Sequence, residues 1–287
     1  AGAPALQATD ARAGADGRAL PEGPRWHGGR VWFTDQHAHR GRARTADGSL
    51  ETIATAEDRP GGLGWLPNGD LVCVLMTMRR IVRIVDGALL PYADLSQHAP
   101  WHCNDMVVDA AGRIYAGNFG YDVDGGAPKT PTALLLVDTD GAVEPFADGL
   151  VFPNGSAITP DGGTLLVGET FANRVSWFQL GPNGRMTDRG VWAELGEATP
   201  DGLCLDAEGA LWIASPGTQE TLRVARGGEI LARCETAGTP YACMLGGPQR
   251  RTLHVCTAET CDPEQAAQLR SGRIEITDVA VPGAGLP

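Results

Sequence analysis

The sequence is nearly devoid of lysine. Lys129 is the one lysine among 287 residues, so arginine supplies almost all of the positive charge, and the formal net charge is −12. No cluster of basic residues occurs along the chain. Proteins that bind nucleic acid present such a cluster to the phosphate backbone, so we expect no nucleic-acid partner.

Long hydrophobic runs are also missing. No stretch of 18 consecutive apolar residues is present, which predicts that no helix crosses a membrane. Residues 1–18 have neither the charged start nor the apolar centre of a signal peptide. We therefore expect a cytoplasmic protein, and the start on Ala1 leaves a removed leader open.

Cysteine pairs at metal-binding or redox spacing are absent. The number of cysteines is odd, at seven, no two have CxxC spacing, and several lie inside apolar runs. These features disfavour a disulfide framework and indicate buried thiols, as in a reducing compartment. Pairing of Cys256 with Cys261 stays open.

No helical periodicity is sustained, and a short repeated pattern takes its place. A turn is followed by two or three apolar or aromatic residues six times, and successive copies are 40 to 51 residues apart. Strand–turn–strand patterns lie between the copies, and their Asp-Gly and Asn-Gly turns are typical of β-hairpins. The copies lie at residues 28–35, 67–74, 110–117, 161–168, 207–214 and 248–255, and the hairpins include 80–94, 133–148 and 176–194.

Each unit of about 45 residues therefore holds about four short strands. Six such units predict an all-β protein, a six-bladed β-propeller with four antiparallel strands per blade, with residues 1–287 as one domain. Because a closed ring has to join its ends, we expect residues 5–20 to add a strand to the last blade beside residues 271–279. A monomer and a small homo-oligomer both fit this architecture.

The segment that precedes each repeated pattern carries the chemistry. In a propeller this segment starts the innermost strand, so its side chains converge on the central channel. Three of the six segments share a proline–polar residue–glycine core, at 21–23, 153–155 and 200–202. The polar residues found near this point in four of the six segments are Glu22, Asn104 with Asp105, Asn154 and Asp201.

Carboxylate and carboxamide oxygens are ligands of hard divalent cations. Two carboxylates that converge near one axis repel each other unless a cation lies between them. We therefore predict that Glu22, Asn154 and Asp201 bind one divalent metal ion, and that Asp105 braces the turn. These ligands leave Ca²⁺, Mg²⁺, Mn²⁺, Zn²⁺ and Fe²⁺ open as the ion.

The same segments resemble the SMP-30/gluconolactonase/luciferin-regenerating-enzyme family of six-bladed propellers. The family's Leu-x-Glu-Gly-Pro-x-Trp opening is matched at 20–26, and its Asn-Asp pair at 104–105. Its Asn-Gly and Pro-Asp-Gly segments are matched at 154–155 and 200–202, and the resemblance runs from about residue 18 to residue 258.

The resemblance implies a metal-dependent lactonase whose usual substrates are sugar lactones. It implies Glu22, Asn154 and Asp201 as ligands of one divalent metal, Asp201 also as the catalytic base, and Asn104 as a metal or substrate contact. The chemistry suits these residue types, since a metal polarises a lactone carbonyl and lowers the pKa of bound water. Asp201 would then accept a proton from that water.

One position departs from the family pattern. Sugar-lactone members often carry arginine two residues before the third-blade asparagine, whereas this chain has His102 there, preceded by Trp101. Asp122 stands where members often carry an acidic substrate contact. We expect Asn104, His102, Asp122 and Trp101 to bind a small-molecule substrate, which is a sugar lactone, a less polar or aromatic lactone, or another ester.

Two alternatives remain at this point. The same metal propeller would also suit phosphotriester cleavage or a proton-transfer reaction such as dehydration or isomerisation, for which His102 is a candidate acid or base. A non-enzymatic binding propeller with a structural Ca²⁺ is the other alternative, because a fold does not fix a function.

Overall fold

The computed structural model describes residues 2–10, 18–45 and 47–287, and strands dominate these ranges. They form six sheets of four antiparallel strands arranged in a ring, with β1 as an added parallel strand on one sheet. The predicted all-β, six-bladed β-propeller is therefore confirmed. The strands are β1 Ala5–Gln7, β2 Thr9–Asp10, β3 Pro21–His27, β4 Arg30–Asp35, β5 Arg40–Arg44, β6 Leu50–Thr55, β7 Pro60–Trp65, β8 Leu71–Leu75, β9 Arg80–Val85, β10 Ala88–Asp94, β11 Cys103–Val108, β12 Ile114–Asn118, β13 Thr132–Val137, β14 Val143–Leu150, β15 Pro153–Ile158, β16 Thr164–Glu169, β17 Arg174–Leu180, β18 Met186–Glu194, β19 Leu203–Leu205, β20 Leu211–Ser215, β21 Glu220–Val224, β22 Ile230–Glu235, β23 Thr239–Gly246, β24 Thr252–Ala258 and β25 Arg273–Asp278.

The blades follow one another along the chain. They consist of β3–β6, β7–β10, β11–β14, β15–β18, β19–β22 and β23–β25, with β2 completing the sixth. The inner strands β3, β7, β11, β15, β19 and β23 each contact the next, and β23 contacts β3, so the ring is closed. Each inner strand begins in or just after the predicted segment that precedes a repeated pattern. This placement brings the polar side chains of those segments to the axis.

The chain start closes the ring. Strand β2 pairs antiparallel with β25, with Thr9 opposite Ile276, which confirms the strand expected beside residues 271–279. Residues 11–17 of the predicted segment lie outside the described residues. Strand β1 pairs parallel with β22 in the fifth blade, with Leu6 opposite Cys234. This second pairing was not predicted, because it joins residues far apart in sequence and leaves no local pattern.

The core lies between the blades. The second strands β8, β12 and β20 are buried on both faces, so they read as short continuous apolar runs rather than as alternating patterns. Tyr115 and Trp212, which occupy equivalent positions of the repeat, are among the largest fully buried side chains. The seven cysteines all lie in the described ranges as free thiols, six of them buried and Cys261 exposed.

One short helix was not predicted. Helix α1, Pro263–Leu269, follows β24 and begins at the Asp262 carboxylate, which accepts a hydrogen bond from the backbone N–H of Gln265 at 2.9 Å. It packs on the short 3₁₀ helix Gln36–Ala38 of the first blade. Seven residues are too few for a helical period to be read from sequence. No helix in the described part of the chain is long and apolar enough to span a membrane.

A polar side chain at the end of the second strand holds the backbone that leads into the inner strand. In the first blade the Asp35 carboxylate accepts hydrogen bonds from the backbone N–H groups of Ala19 and Leu20, both at 2.9 Å. In the fourth blade the Glu169 carboxylate accepts one from the backbone N–H of Val151 at 2.9 Å. Both carboxylates are fully buried, so these bonds are shielded from water.

The fifth blade repeats this arrangement with a hydroxyl group. The Ser215 hydroxyl accepts a hydrogen bond from the backbone N–H of Thr199 at 2.9 Å. The anchored backbone groups of the three blades thus lie two or three residues before Glu22, Asn154 and Asp201. The second strands therefore fix the three segments that carry the predicted metal ligands.

We expect Glu169→Ala to destabilise the fold strongly. The Glu169 carboxylate also accepts hydrogen bonds from Arg174 at 2.9 Å and from the Ser176 hydroxyl, so its removal leaves several donors without an acceptor. The free energy of unfolding should fall by about 2–4 kcal/mol. Urea denaturation measures this loss, with Glu197→Ala at an exposed position as the control. Equal midpoints for the two variants would contradict the anchoring role.

Candidate active site

The inner strands surround a cavity at the end of the ring where they begin. Its volume is about 310 Å³, and all six blades contribute to its wall. Carboxylates and amides lie near the axis, and three phenylalanines form part of the wall. The lining residues used below are Glu22, His37, Gly61, Gly62, Asn104, Asp105, Phe119, Asp124, Phe152, Asn154, Phe171, Asp201, Tyr241, Cys261 and Pro263.

Irregular pairing turns the polar side chains toward the axis. Five inner strands pair regularly with the second strand along most of their length but shift register at their start. A bulge of this kind leaves residues without a cross-strand partner and redirects their side chains. The shifts fall between residues 22 and 25, 60 and 63, 103 and 106, 153 and 156, and 240 and 242.

Close packing of neighbouring inner segments explains the glycines that follow two of the three predicted ligands, Asn154 and Asp201. A Cβ atom added to Gly155 would lie 2.2 Å from the Asp201 carbonyl oxygen. One added to Gly202 would lie 2.4 Å from the Ala242 Cβ atom. Atoms do not approach so closely without a bond, so these positions exclude every side chain. The glycines therefore let adjacent ligand segments come together at the axis.

Two carboxylates face the same small volume. Burial raises the pKa of the Glu22 carboxyl well above its usual value, and the negative charges of Asp201 and Asp105 raise it further. Burial, together with the Asp105 charge, raises the pKa of Asp201 to about 8. Asn154 opposes this shift, because its Nδ2 donates a hydrogen bond to Asp201 Oδ1 at 2.8 Å. Without a cation these surroundings disfavour ionisation of both carboxyl groups, and a cation bound between them would favour their charged forms.

The Asp105 carboxylate forms an ion pair with the side chain of Arg25. Its Oδ1 lies 2.7 Å from Nη2 of Arg25, whose side chain is buried, and it also accepts the backbone N–H of Met106 at 2.8 Å. Arg25 donates a further bond to the Leu63 carbonyl oxygen at 2.9 Å, which ties the first three blades together. This geometry suits the bracing role expected of Asp105.

Asn104 presents a buried acceptor without a partner among the described residues. Its Nδ2 donates a hydrogen bond to the Pro153 carbonyl oxygen at 3.1 Å, which orients the amide, and its Oδ1 accepts none from the described part of the chain. A buried acceptor without a partner is costly unless a ligand completes it. Oxygen donors from two carboxylates and from carboxamides, one of them unsatisfied, fit a hard divalent cation.

The described residues hold no cluster of three His, Cys, Asp or Glu side chains arranged for a metal ion. The predicted set differs in composition, because it combines two carboxylates with the Asn154 amide. The structure brings Glu22, Asn104, Asn154 and Asp201 to the wall of one cavity.

The other predicted substrate contacts lie outside the cavity lining. The Asp122 carboxylate accepts the backbone N–H of Gly125 at 2.8 Å, and Asp124 faces the cavity instead. His102 stacks on Trp101 with ring centroids 4.7 Å apart, and neither residue lines the cavity. Burial lowers the pKa of His102, which favours the neutral imidazole.

Sequence reasoning missed several lining residues. Phe119, Phe152, Phe171 and Tyr241 line the cavity, and so does His37 of the short 3₁₀ helix Gln36–Ala38. Phe152 directly precedes the inner strand β15, and Tyr241 lies near the start of the inner strand β23. Their positions in the repeat were therefore the available sign that they face the cavity. Phe171 and His37 follow second strands, where loop conformation decides which side chains face inward.

Comparison with known proteins places the chain in a family. A family model described as SMP-30/Gluconolactonase/LRE-like region matches residues 20–259. A pentonolactonase of Haloferax volcanii, XacC, is 29% identical over 250 residues, which are 83% of this chain and 81% of that protein.

Two solved structures share the fold. The crystal structure of a calcium-binding protein, regucalcin, from Agrobacterium tumefaciens has a TM-score of 0.82 at 21% identity, covering 99% of this chain and 98% of that one. A gluconolactonase of Xanthomonas campestris has a TM-score of 0.73 at 23% identity, covering 93% and 87%. The resemblance seen in the sequence is confirmed. Because the family model covers most of its length, the chain belongs to the SMP-30/gluconolactonase/LRE-like family.

Proposed function

We propose that the protein is a divalent-metal-dependent hydrolase that opens a lactone ring. The observation that carries the proposal is the pair of enclosed carboxylates, Glu22 and Asp201, beside the unsatisfied amide oxygen of Asn104. The names of the relatives support the reaction class, since pentonolactonase and gluconolactonase both denote lactone hydrolysis. The substrate is then a small cyclic ester that enters the axial cavity.

Glu22, Asn154 and Asp201 are the residues that would hold the ion, with Asn104 Oδ1 directed to the ion or to the substrate. A divalent cation bound there supplies Lewis acidity, which polarises a carbonyl group and makes water more acidic. Asn154 orients Asp201 through its 2.8 Å hydrogen bond. The anchors on the second strands keep these groups in place before the substrate arrives, which limits the cost of reorganisation.

Asp201 is the proposed general base. In the reaction, the oxygen of water forms a bond to the lactone carbonyl carbon, the ring C–O bond breaks, and the ring oxygen leaves as an alcohol. Asp201 accepts the proton that water loses, and that proton passes on to the leaving oxygen, so the product is a hydroxy acid. Burial raises the pKa of Asp201 in the absence of a cation, and a cation bound beside it would oppose this shift and keep the carboxylate ionised as a base.

The alternatives have less support from the geometry. His102, the candidate acid or base for dehydration or isomerisation, is not among the residues that line the cavity. Large apolar side chains that are exposed in the described residues are scattered among several blades rather than gathered into one partner surface; they are Met78, Leu90, Val191, Leu269 and Leu286.

We expect Asp201→Asn to abolish most lactone hydrolysis. The amide keeps the size of the side chain but loses the base and one anionic ligand, so kcat should fall by about 100- to 10,000-fold. The rate of hydrolysis of a panel of lactones is measured with a pH indicator, which reports the acid released. Asp140→Asn, in the turn between β13 and β14, is the matched control and should retain wild-type rates. Wild-type turnover by Asp201→Asn would contradict the assignment.

Metal removal should lower both stability and activity. Chelator-treated protein should lose lactonase activity, and returning the correct divalent ion should restore it. Binding at 100 times the dissociation constant should stabilise the folded state by about 2.7 kcal/mol, visible as a rise in the melting temperature. The rise should disappear in Asp201→Asn. Full activity after complete metal removal would rule out metal dependence while leaving hydrolysis itself intact.

A further inference from the structure

A row of five aromatic rings ends in the wall of the cavity. Ring centroids are 4.7 Å apart from Trp101 to His102, 5.6 Å from His102 to Phe119, 4.4 Å from Phe119 to Phe152, and 4.9 Å from Phe152 to Phe171. These separations lie in the range of favourable aromatic pairs, so each ring supports the next. We call these five residues the aromatic row.

The two ends of the row have different surroundings. Phe119, Phe152 and Phe171 line the cavity, whereas Trp101 and His102 do not. The indole Nε1 of Trp101 and Nδ1 of His102 are buried and make no hydrogen bond to any described residue. Their place in the row rests on the contacts between their rings and the neighbouring ring of Phe119.

Phe152 occupies a costly backbone conformation. Its φ angle is +55°, in the left-handed region that residues with a Cβ atom seldom adopt. Its side chain is 7% exposed and is held between Phe119 and Phe171. Such a conformation persists when the surroundings fix it, and it is common at ligand sites. The wall is therefore a built feature next to the Asn154 segment.

We infer that the aromatic row selects a lactone that carries a flat apolar substituent. The inference rests on the proposed lactone hydrolysis, because it assumes that the reacting ester lies beside Glu22 and Asp201. With the ester at the axis, a substituent directed toward the third and fourth blades meets phenylalanine rings. A phenyl group stacks there and is removed from water, whereas a hydroxyl group would lose its hydrogen bonds to water.

Three five-membered lactones test this selection, because they differ at one position. They carry phenyl, methyl or hydroxymethyl on the ring carbon next to the ring oxygen, so each releases a secondary alcohol. The phenyl lactone should exceed the hydroxymethyl lactone in kcat/KM by about tenfold or more, where tenfold corresponds to about 1.4 kcal/mol. Equal values, or preference for the hydroxymethyl lactone, would overturn the inference while leaving the lactonase proposal in place.

Variants locate the preference in the row. Phe171→Ala, at a half-buried position, should reduce the phenyl preference to about threefold or less, chiefly through KM. Pro263→Ala also removes apolar lining but lies outside the row, so the ratio between substrates should stay at its wild-type value. A loss that is equal for all three lactones in Phe171→Ala would contradict a role in selection.

His102 is a positioning residue in this scheme, and its ring is what matters. His102→Ala should lower the phenyl preference through loss of support for Phe119, and His102→Phe should restore it. Urea midpoints of both variants separate this effect from unfolding. Retention of the full preference in a folded His102→Ala protein would show that His102 does not support the wall.

Binding of lactams separates the inference from the proposed reaction. Five-membered lactams with phenyl or methyl substituents have the shape of the lactones and resist hydrolysis, so calorimetry reports recognition alone. If no lactone is hydrolysed, the proposed function fails. Binding of the lactams then shows whether the aromatic row still selects a flat apolar substituent. Tighter binding of the phenyl lactam that weakens in Phe171→Ala would support the wall, and equal binding of both lactams would overturn it.

Discussion

The close approach of inner strands around one axis is the constraint on which the site depends. A Cβ atom at Gly61 would lie 2.3 Å from the carbonyl oxygen of Asn104, and one at Gly155 would lie 2.2 Å from that of Asp201. Neighbouring blades can therefore meet with backbone against backbone. This proximity brings side chains from distant parts of the sequence into one cavity, where buried charges interact strongly. The same packing that closes the ring thus raises the pKa of Glu22 and Asp201.

Rigid support and chemical function are divided between neighbouring strands. The inner strands carry the cavity-facing groups, and the second strands carry Asp35, Glu169 and Ser215, which hold the backbone beneath those groups. Because the supporting bonds go to backbone N–H groups, the inner side chains are free to face the cavity. The loops after the second strands supply the remaining wall, including Phe119 and Phe171. Substrate choice can therefore change without disturbing the polar centre.

The sequence predicted those parts of the molecule that recur. Six copies of a turn–strand pattern revealed the propeller, and shared register placed Glu22, Asn154 and Asp201 at one axis, where the structure has them. Features that occur only once in the structure could not be predicted from the repeated sequence pattern. Helix α1 is too short for a period, and the parallel pairing of β1 with β22 has no local signature. The aromatic row depends on loop conformation, which the repeat pattern does not determine. The polar residues Asp35, Glu169 and Ser215 all lie at the last position of a second strand, so the repeat pattern was a signal for their shared role.

The pairing of the first strands with the last blades has a consequence for biosynthesis. Residues 5–10 emerge from the ribosome more than 200 residues before β22 and β25, their partners in the ring. Until those partners appear, the early blades present unpaired edges and an open axis, where strand-to-strand aggregation begins. A nascent chain that stalls early is therefore left as an open ring without a cavity. Closure of the ring and of its cavity thus waits until β25 has been made, however quickly the first blades form.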